Sequence, residues 1–144
     1  MVRGGVTANP TGGVSGIKAE GETRPRPAGK RILVVEDNRD SADTLRLLLA
    51  LYGYEVAVAH SGHDGVRAAQ QHRPDVVLCD IGLPGLDGYG VARTLRGNPA
   101  TAQARLIAVT AYGREEDRRR SHEAGFERHL VKPVDPDDLR RALD

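Results

Sequence analysis

The stretch Asp75-Val-Val-Leu-Cys-Asp80-Ile-Gly-Leu-Pro84-Gly-Leu-Asp-Gly88 decides the fold. Its first six residues form a short apolar run between two aspartates, which is typical of a buried strand that ends in a carboxylate. The residues that follow are rich in Gly, Pro and Asp, the types that favour a loop. We therefore predict a strand that places the side chain of Asp80 at the start of a loop.

Similar apolar runs lie on both sides of this stretch and alternate with amphipathic segments. We predict the other strands at residues 31–36, 54–59, 105–110 and 128–131, and helices at about 40–52, 61–72, 89–96, 114–124 and 136–143. Asn38 or Asp40 can cap the first helix, which Gly53 ends. Five nearly continuous apolar strands alternating with helices indicate a parallel sheet covered on both faces. The expected fold class is therefore an α/β doubly wound domain.

Polar side chains stand at the ends of four of these strands. Glu36 and Asp37 end the first strand, Asp80 the third, Thr110 the fourth and Lys132 the fifth. Because ligands of such folds bind beyond the carboxyl ends of the strands, we expect these side chains to converge there. Any one of them could be a helix cap or a loop residue, but the whole set is hard to explain in that way.

The residue types in this set suit a phosphoryl group and a metal ion. Neighbouring carboxylates repel one another and either raise a pKa or hold a cation, and Mg2+ prefers oxygen ligands. Lys132 and Thr110 could neutralise and hydrogen-bond phosphoryl oxygens. The carboxylate of Asp80 could itself act as the nucleophile and form an aspartyl phosphate.

The ordered motifs resemble the receiver domain of two-component response regulators over about residues 30–144. The resemblance is carried by Val-Val-Glu36-Asp37-Asn, Asp80-Ile-Gly-Leu-Pro84-Gly-Leu-Asp-Gly88, Val-Thr110-Ala111 and Val-Lys132-Pro133. Each motif has modest specificity, but the ordered set is a strong signal. It implies a (βα)5 flavodoxin-like fold with strand order 2-1-3-4-5.

The resemblance also implies a role for each strand-end residue. Asp80 would accept the phosphoryl group from the phosphohistidine of a histidine kinase or a histidine phosphotransfer protein. Glu36 and Asp37 would form the acidic pocket, and Mg2+ would be bound by Asp37, Asp80 and the backbone carbonyl of Gly82. Thr110 would be the switch hydroxyl, and Lys132 would contact phosphoryl oxygens. The Lys132-Pro133 bond is expected to be cis.

Four residues depart from the family pattern or modulate it. Glu36 stands where many members have Asp, and its longer side chain permits a water-mediated contact with the metal. His129 stands where an aromatic switch residue is usual; it could imitate that ring, but an exposed surface histidine is the favoured interpretation. Ala111 and Tyr112 follow Thr110, and the bulky Tyr112 is expected to shield the acyl phosphate and prolong its life.

Composition limits the other functions. The chain has 144 residues, 39% of them apolar, no Trp and a net charge of +1, which argues against direct binding of nucleic acid. The run Arg118-Arg119-Arg120 follows three acidic residues and is interpreted as a solvated helix face. Cys79 is the only cysteine and is expected to be buried. No apolar run approaches the ~20 residues of a membrane helix, so we expect a soluble, cytoplasmic protein without membrane insertion.

The two ends of the chain bear on the domain organisation that we expect. Residues 1–29 contain seven glycines and three prolines without a helical or strand period, so we predict a disordered linker or leader before a receiver domain at 30–144. Since the chain ends at Asp144, the output is expected to lie in an unidentified downstream protein. Alternatively, the chain is part of a longer one, such as the C-terminal receiver of a hybrid histidine kinase.

Two rival functions stay open at this stage. A small aspartate-nucleophile phosphatase would share the fold class and Mg2+, but such enzymes resemble Asp-x-Asp, and Asp80-Ile-Gly82 lacks the second carboxylate. A pseudo-receiver that is not phosphorylated and acts only as a binding module is disfavoured by the set Asp37, Asp80, Thr110 and Lys132. The expected protein is therefore not an enzyme beyond its own phosphorylation and dephosphorylation.

Overall fold

Five strands alternate with five helices in the computed structural model, which describes residues 30–144; the predicted linker at 1–29 lies outside the described residues. The elements are β1 Arg31–Val35, α1 Arg39–Leu51, β2 Glu55–Ala59, α2 Gly62–His72, β3 Val76–Asp80, α3 Gly88–Arg96, β4 Arg105–Thr110, α4 Glu115–Ala124, β5 Arg128–Val131 and α5 Pro136–Leu143. All neighbouring strands pair in parallel, in the order β2-β1-β3-β4-β5. The predicted α/β fold and its strand order are confirmed.

The sheet separates two apolar clusters, because successive side chains of a strand point to opposite faces. Val77 and Cys79 belong to the cluster that also contains residues of α2, α3 and α4, among them Leu95. Leu78, between them, belongs to the cluster with Leu49 of α1 and residues of α5. The thiol of Cys79 is fully buried, as expected, and burial raises its pKa. Helices on both faces leave the carboxyl edge of the sheet as the place for a site.

Side-chain caps explain where the helices begin. Asn38, not Asp40, caps α1, and its side-chain oxygen accepts a hydrogen bond of 2.9 Å from the backbone N–H of Ser41. Asp87 caps α3, and Asp135 caps α5 just before Pro136. Each cap satisfies N–H groups that have no partner within the helix. The structure places the start of α5 where the sequence predicts it, whereas α4 begins one residue later than predicted.

The loop after β3 needs a glycine where α3 begins. A Cβ atom on Gly88 would lie 2.6 Å from the carbonyl oxygen of Asp80 and 2.6 Å from the Cα of Ile81. Only a residue without a side chain allows this approach, which brings the first turn of α3 against the end of β3. The Lys132-Pro133 peptide bond is cis, as the resemblance implied.

None of the described helices has the length and apolar character to cross a membrane.

Helix α4 is the most polar of the five helices. Of its ten residues only Ser121 and Ala124 are buried. The guanidinium of Arg96, at the end of α3, secures the far end of α4 by donating a hydrogen bond of 2.8 Å to the carbonyl of Gly125. Helix α4 therefore has few apolar contacts with the sheet.

Candidate functional site

Three carboxylates meet at the carboxyl edge of the sheet. Glu36 follows β1 directly, Asp37 is the next residue, and Asp80 ends β3. One oxygen from each lies within 4.8 Å of the others. Glu36 and Asp80 are buried, at 2% and 8% exposure, whereas Asp37 is exposed. This donor set of convergent, partly accessible oxygens fits a hard divalent cation such as Mg2+.

Lys132 supplies the positive charge that faces these carboxylates. Its Nζ lies 2.7 Å from Oε1 of Glu36 and 3.1 Å from Oδ2 of Asp80. Burial acts to lower the pKa of Lys132, but the hydrogen bonds to both carboxylates outweigh it and raise the pKa. The amine is therefore held charged beside Asp80.

Glu36 is the most deeply buried member of the acidic set. Burial raises its pKa, opposed by the hydrogen bonds from Lys132 and from the backbone N–H of Asn38, which lies 3.0 Å from Oε2. Both carboxylate oxygens of Glu36 thus have a donor. Oδ1 of Asp80 accepts a hydrogen bond of 2.9 Å from the backbone N–H of Gly82.

A cavity of about 330 Å³ opens beside Asp80. Its lining includes the other residues that the sequence placed at the site: Gly82, Thr110, Ala111, Tyr112 and Lys132. The hydroxyl of Thr110 accepts a hydrogen bond of 3.1 Å from the backbone N–H of Tyr112. Tyr112 is 61% exposed, and the guanidinium of Arg114 lies 5.1 Å from the centroid of its ring. The cavity thus gives a small ligand access to Asp80.

His129 does not line this cavity, and its ring contacts α4 and the segment after β4. Its Nε2 is 3.4 Å from the carbonyl oxygen of Tyr112, and its Nδ1 is 3.4 Å from Oγ of Ser121 on α4. Burial lowers the pKa of His129. The interpretation as an exposed surface histidine is therefore wrong: the ring is half-buried because α4 and the segment after β4 cover it.

Four residues of the cavity were missed by the sequence reasoning: Ile81, Tyr89, Asp117 and Arg120. Tyr89 belongs to α3 and Arg120 to α4, and the guanidinium of Arg120 lies 4.5 Å from the centroid of the Tyr89 ring. Arg118, Arg119 and Arg120 are all exposed, as a solvated helix face requires, but Arg120 also borders the cavity. Its position four residues before the buried Ala124 was a usable signal, because residues four apart share one side of a helix.

The fold and the site together define an α/β domain with an acidic pocket and a lysine paired to it at the carboxyl edge of a parallel sheet. A family model described as "Response regulator receiver domain" matches residues 32–144. The chain belongs to this family of two-component signalling domains.

Named relatives agree with this assignment. Protein PilH of Pseudomonas aeruginosa is 37% identical over 114 residues, which span 79% of this chain and 94% of PilH. The receiver domain of a sensor histidine kinase of the same organism, a structure with magnesium coordinated in its active-site cleft, has a TM-score of 0.74 and 36% identity, covering 81% of this chain and 95% of that one. Chemotaxis protein CheY4 of Vibrio cholerae has a TM-score of 0.77 and 26% identity, covering 81% and 97%.

Proposed function

We propose that this chain is a phosphoacceptor receiver domain that is phosphorylated on Asp80. One observation carries the proposal: Asp80 lies within reach of two further carboxylates and 3.1 Å from the Lys132 amine, and it borders an open cavity. This combination suits phosphoryl transfer, which depends mainly on positioning and on stabilising charge. The donor is a phosphohistidine of a histidine kinase or of a histidine phosphotransfer protein.

In the proposed step, a carboxylate oxygen of Asp80 attacks the phosphorus atom of the donor. A P–O bond forms while the P–N bond breaks, and the electron pair of the broken bond stays on the imidazole nitrogen. Lys132 balances negative charge on the phosphoryl oxygens, and Thr110 offers its hydroxyl from the end of β4. Attack of water on the phosphorus later releases phosphate and restores the carboxylate.

A divalent cation belongs to this proposal. Asp37, Asp80 and the backbone of Gly82 would hold Mg2+, with Glu36 contributing through a bound water. When bound, Mg2+ neutralises charge on the phosphoryl oxygens as the transfer proceeds. The magnesium in the cleft of the similar histidine kinase receiver supports this assignment, as does the separation of at most 4.8 Å between the carboxylate oxygens here.

The signal leaves through the surface formed by α4, β5 and α5. Binding of a phosphoryl oxygen by the Thr110 hydroxyl would compete with the hydrogen bond that Thr110 accepts from Tyr112. The carbonyl of Tyr112 faces His129, whose other nitrogen faces Ser121 of α4. Because α4 buries only two of its residues, a small change at this end can shift its position. A downstream protein binds this surface and responds to the change.

The decisive test is phosphoryl incorporation in the presence of Mg2+. We expect the chain to gain one phosphoryl group from acetyl phosphate or phosphoramidate, as measured by intact-protein mass spectrometry. The modification should be released by hydroxylamine, which cleaves acyl phosphates, and Asp80→Asn should abolish it. Asp87→Asn is the matched control, since Asp87 caps α3 and does not line the cavity.

The two rival functions predict different outcomes in the same assay. Continuous turnover of a generic phosphate ester, without an accumulated phosphoprotein, would favour a phosphatase. No incorporation from small donors or from a phosphorylated histidine phosphotransfer protein would indicate a pseudo-receiver and would overturn the proposal.

A further inference from the structure

Arg120 occupies a position in the acceptor cavity that the proposed function leaves unused. The lining of the cavity includes Asp80, Thr110 and Lys132, and Arg120 of α4 and Tyr89 of α3 also line it. An entering phosphoryl group would therefore meet Lys132, the residue after β5, and a guanidinium from α4.

The guanidinium of Arg120 is positioned without using its hydrogen-bond donors. It lies 4.5 Å from the centroid of the Tyr89 ring, and Tyr89 is only 6% exposed and so forms a fixed surface. A cation–π contact of this kind orients the guanidinium plane and leaves its N–H groups at the edge. Within the part of the chain that the structure describes, Arg120 makes no ion pair and no side-chain hydrogen bond.

The charges of the pocket make such a cation useful. A phosphoryl donor is an anion and must approach Glu36, Asp37 and Asp80, while the amine of Lys132 is already bound to two of these carboxylates. A guanidinium can bind two oxygens of one phosphoryl group through parallel N–H bonds. Asp117, one turn before Arg120, lines the same cavity and carries the opposite charge.

We propose that Arg120 is a substrate-binding residue that recognises the phosphoryl group of the donor from the α4 side of the cavity. This inference rests on the proposed function and names a contact for the phosphoryl group of its donor. It also gives the phosphoryl group a direct contact with α4, in addition to the connection through Thr110 and Tyr112. Arg118 and Arg119 do not line the cavity and have no part in it.

The test measures how the rate of phosphorylation depends on the concentration of phosphoramidate at saturating Mg2+. We expect Arg120→Ala to raise the half-saturating concentration severalfold, as loss of a charge-assisted hydrogen bond at a solvent-exposed position would do. Arg120→Lys should have an intermediate effect, because it keeps the charge but loses the planar pair of donors. Asp117→Asn should lower the half-saturating concentration, since it removes a repelling charge.

Arg119→Ala is the matched control. It removes the same charge from the adjacent position of the same helix, so a long-range electrostatic effect would appear in both variants. Tyr89→Leu keeps an apolar side chain but removes the ring, and it should also weaken donor binding. A purely structural role of Arg120 would instead lower the thermal midpoint and leave the half-saturating concentration unchanged.

The outcomes separate the inference from the function on which it rests. If the wild type is phosphorylated and Arg120→Ala matches Arg119→Ala in its half-saturating concentration, the role of Arg120 is overturned while the phosphoacceptor function stands. If the wild type gains no phosphoryl group from any donor, the function fails and the role of Arg120 fails with it.

Discussion

The amine of Lys132 lies 2.7 Å from a carboxylate oxygen of Glu36, a side chain that is only 2% exposed. Burial alone would favour the neutral form of Glu36 and raises its pKa. The ammonium of Lys132 offsets the cost of burying an ionised Glu36. Lys132 is therefore a structural partner of the acidic pocket as well as a candidate contact for the phosphoryl group.

Lys132→Met tests this structural role. Removing one partner of a buried ion pair leaves an uncompensated charge, so we expect a loss of about 3 kcal/mol in the free energy of unfolding at pH 8. The loss should be smaller at pH 5. Burial raises the pKa of Glu36 in the folded state, so the folded protein tolerates protonated Glu36 better than ionised Glu36. The stability that the protonated form allows is present below the unfolded pKa of Glu36 and is lost as the pH rises through its folded pKa.

Urea unfolding of the wild type and Lys132→Met at the two pH values gives the measurement. Lys30→Met serves as control, because Lys30 is exposed before β1. An equal loss at both pH values would contradict the assignment of the effect to ionised Glu36.

Mg2+ should stabilise the folded protein through the carboxylate cluster. A ligand that binds only the folded state adds about 2.7 kcal/mol at a hundred times its Kd, which appears as a rise in the thermal midpoint. We expect the rise in the wild type, its reversal by EDTA, and its loss in Asp37→Asn and Asp80→Asn. Asp43→Asn, on the exposed side of α1, should retain the full rise; if it also lost the rise, Mg2+ would be acting elsewhere.

Arg96→Met tests how the end of α3 is attached to its neighbours. The guanidinium donates hydrogen bonds of 2.7 Å, 2.6 Å and 2.8 Å to the carbonyls of Ala102, Ala104 and Gly125. Loss of all three should lower the free energy of unfolding by about 2 kcal/mol, because the carbonyls are left partly buried without this donor. Arg93→Met, at an exposed position of the same helix, should change it little. Equal urea midpoints for the two variants would rule out this role of Arg96.

The strand-end residues could be predicted from the sequence because parallel strands deliver their last residues to one edge of the sheet. Asp80 follows an apolar run without interruption, and so does Thr110, so neither position depends on how a helix packs. Their convergence follows from the strand order alone.

The contacts made by α4 could not be predicted in the same way. Arg120 faces Tyr89, and His129 faces Ser121, only because of the angle and rotation at which α4 packs against α3 and β5. That packing is set by two buried side chains, which produce a weak periodic signal in a helix of charged residues. The same weakness led to the incorrect interpretation of His129 as exposed.

Tyr112→Ala should shorten the lifetime of the phosphorylated form. The ring borders the cavity beside Asp80 and Thr110 and restricts the approach of water to a phosphoryl group there. After removal of the donor, the decay of the phosphoprotein followed by mass spectrometry should be severalfold faster in the variant. Arg114→Ala, which leaves the ring but removes the cation above it, should have a smaller effect. Slower decay in Tyr112→Ala than in the wild type would refute the shielding role.

His129→Gln should remove a pH dependence of stability. Burial lowers the pKa of His129, so the folded state favours the neutral ring; nearby Arg118 acts in the same direction, while Asp117 and the Tyr112 carbonyl oppose it. Its contribution is present above the unfolded pKa of about 6.5 and is lost as pH falls through the lower folded value. The wild type should therefore lose more stability than His129→Gln between about pH 8 and pH 5 in urea unfolding. His122→Gln, an exposed position of α4, is the control, and parallel stability curves for the wild type and His129→Gln would exclude the effect.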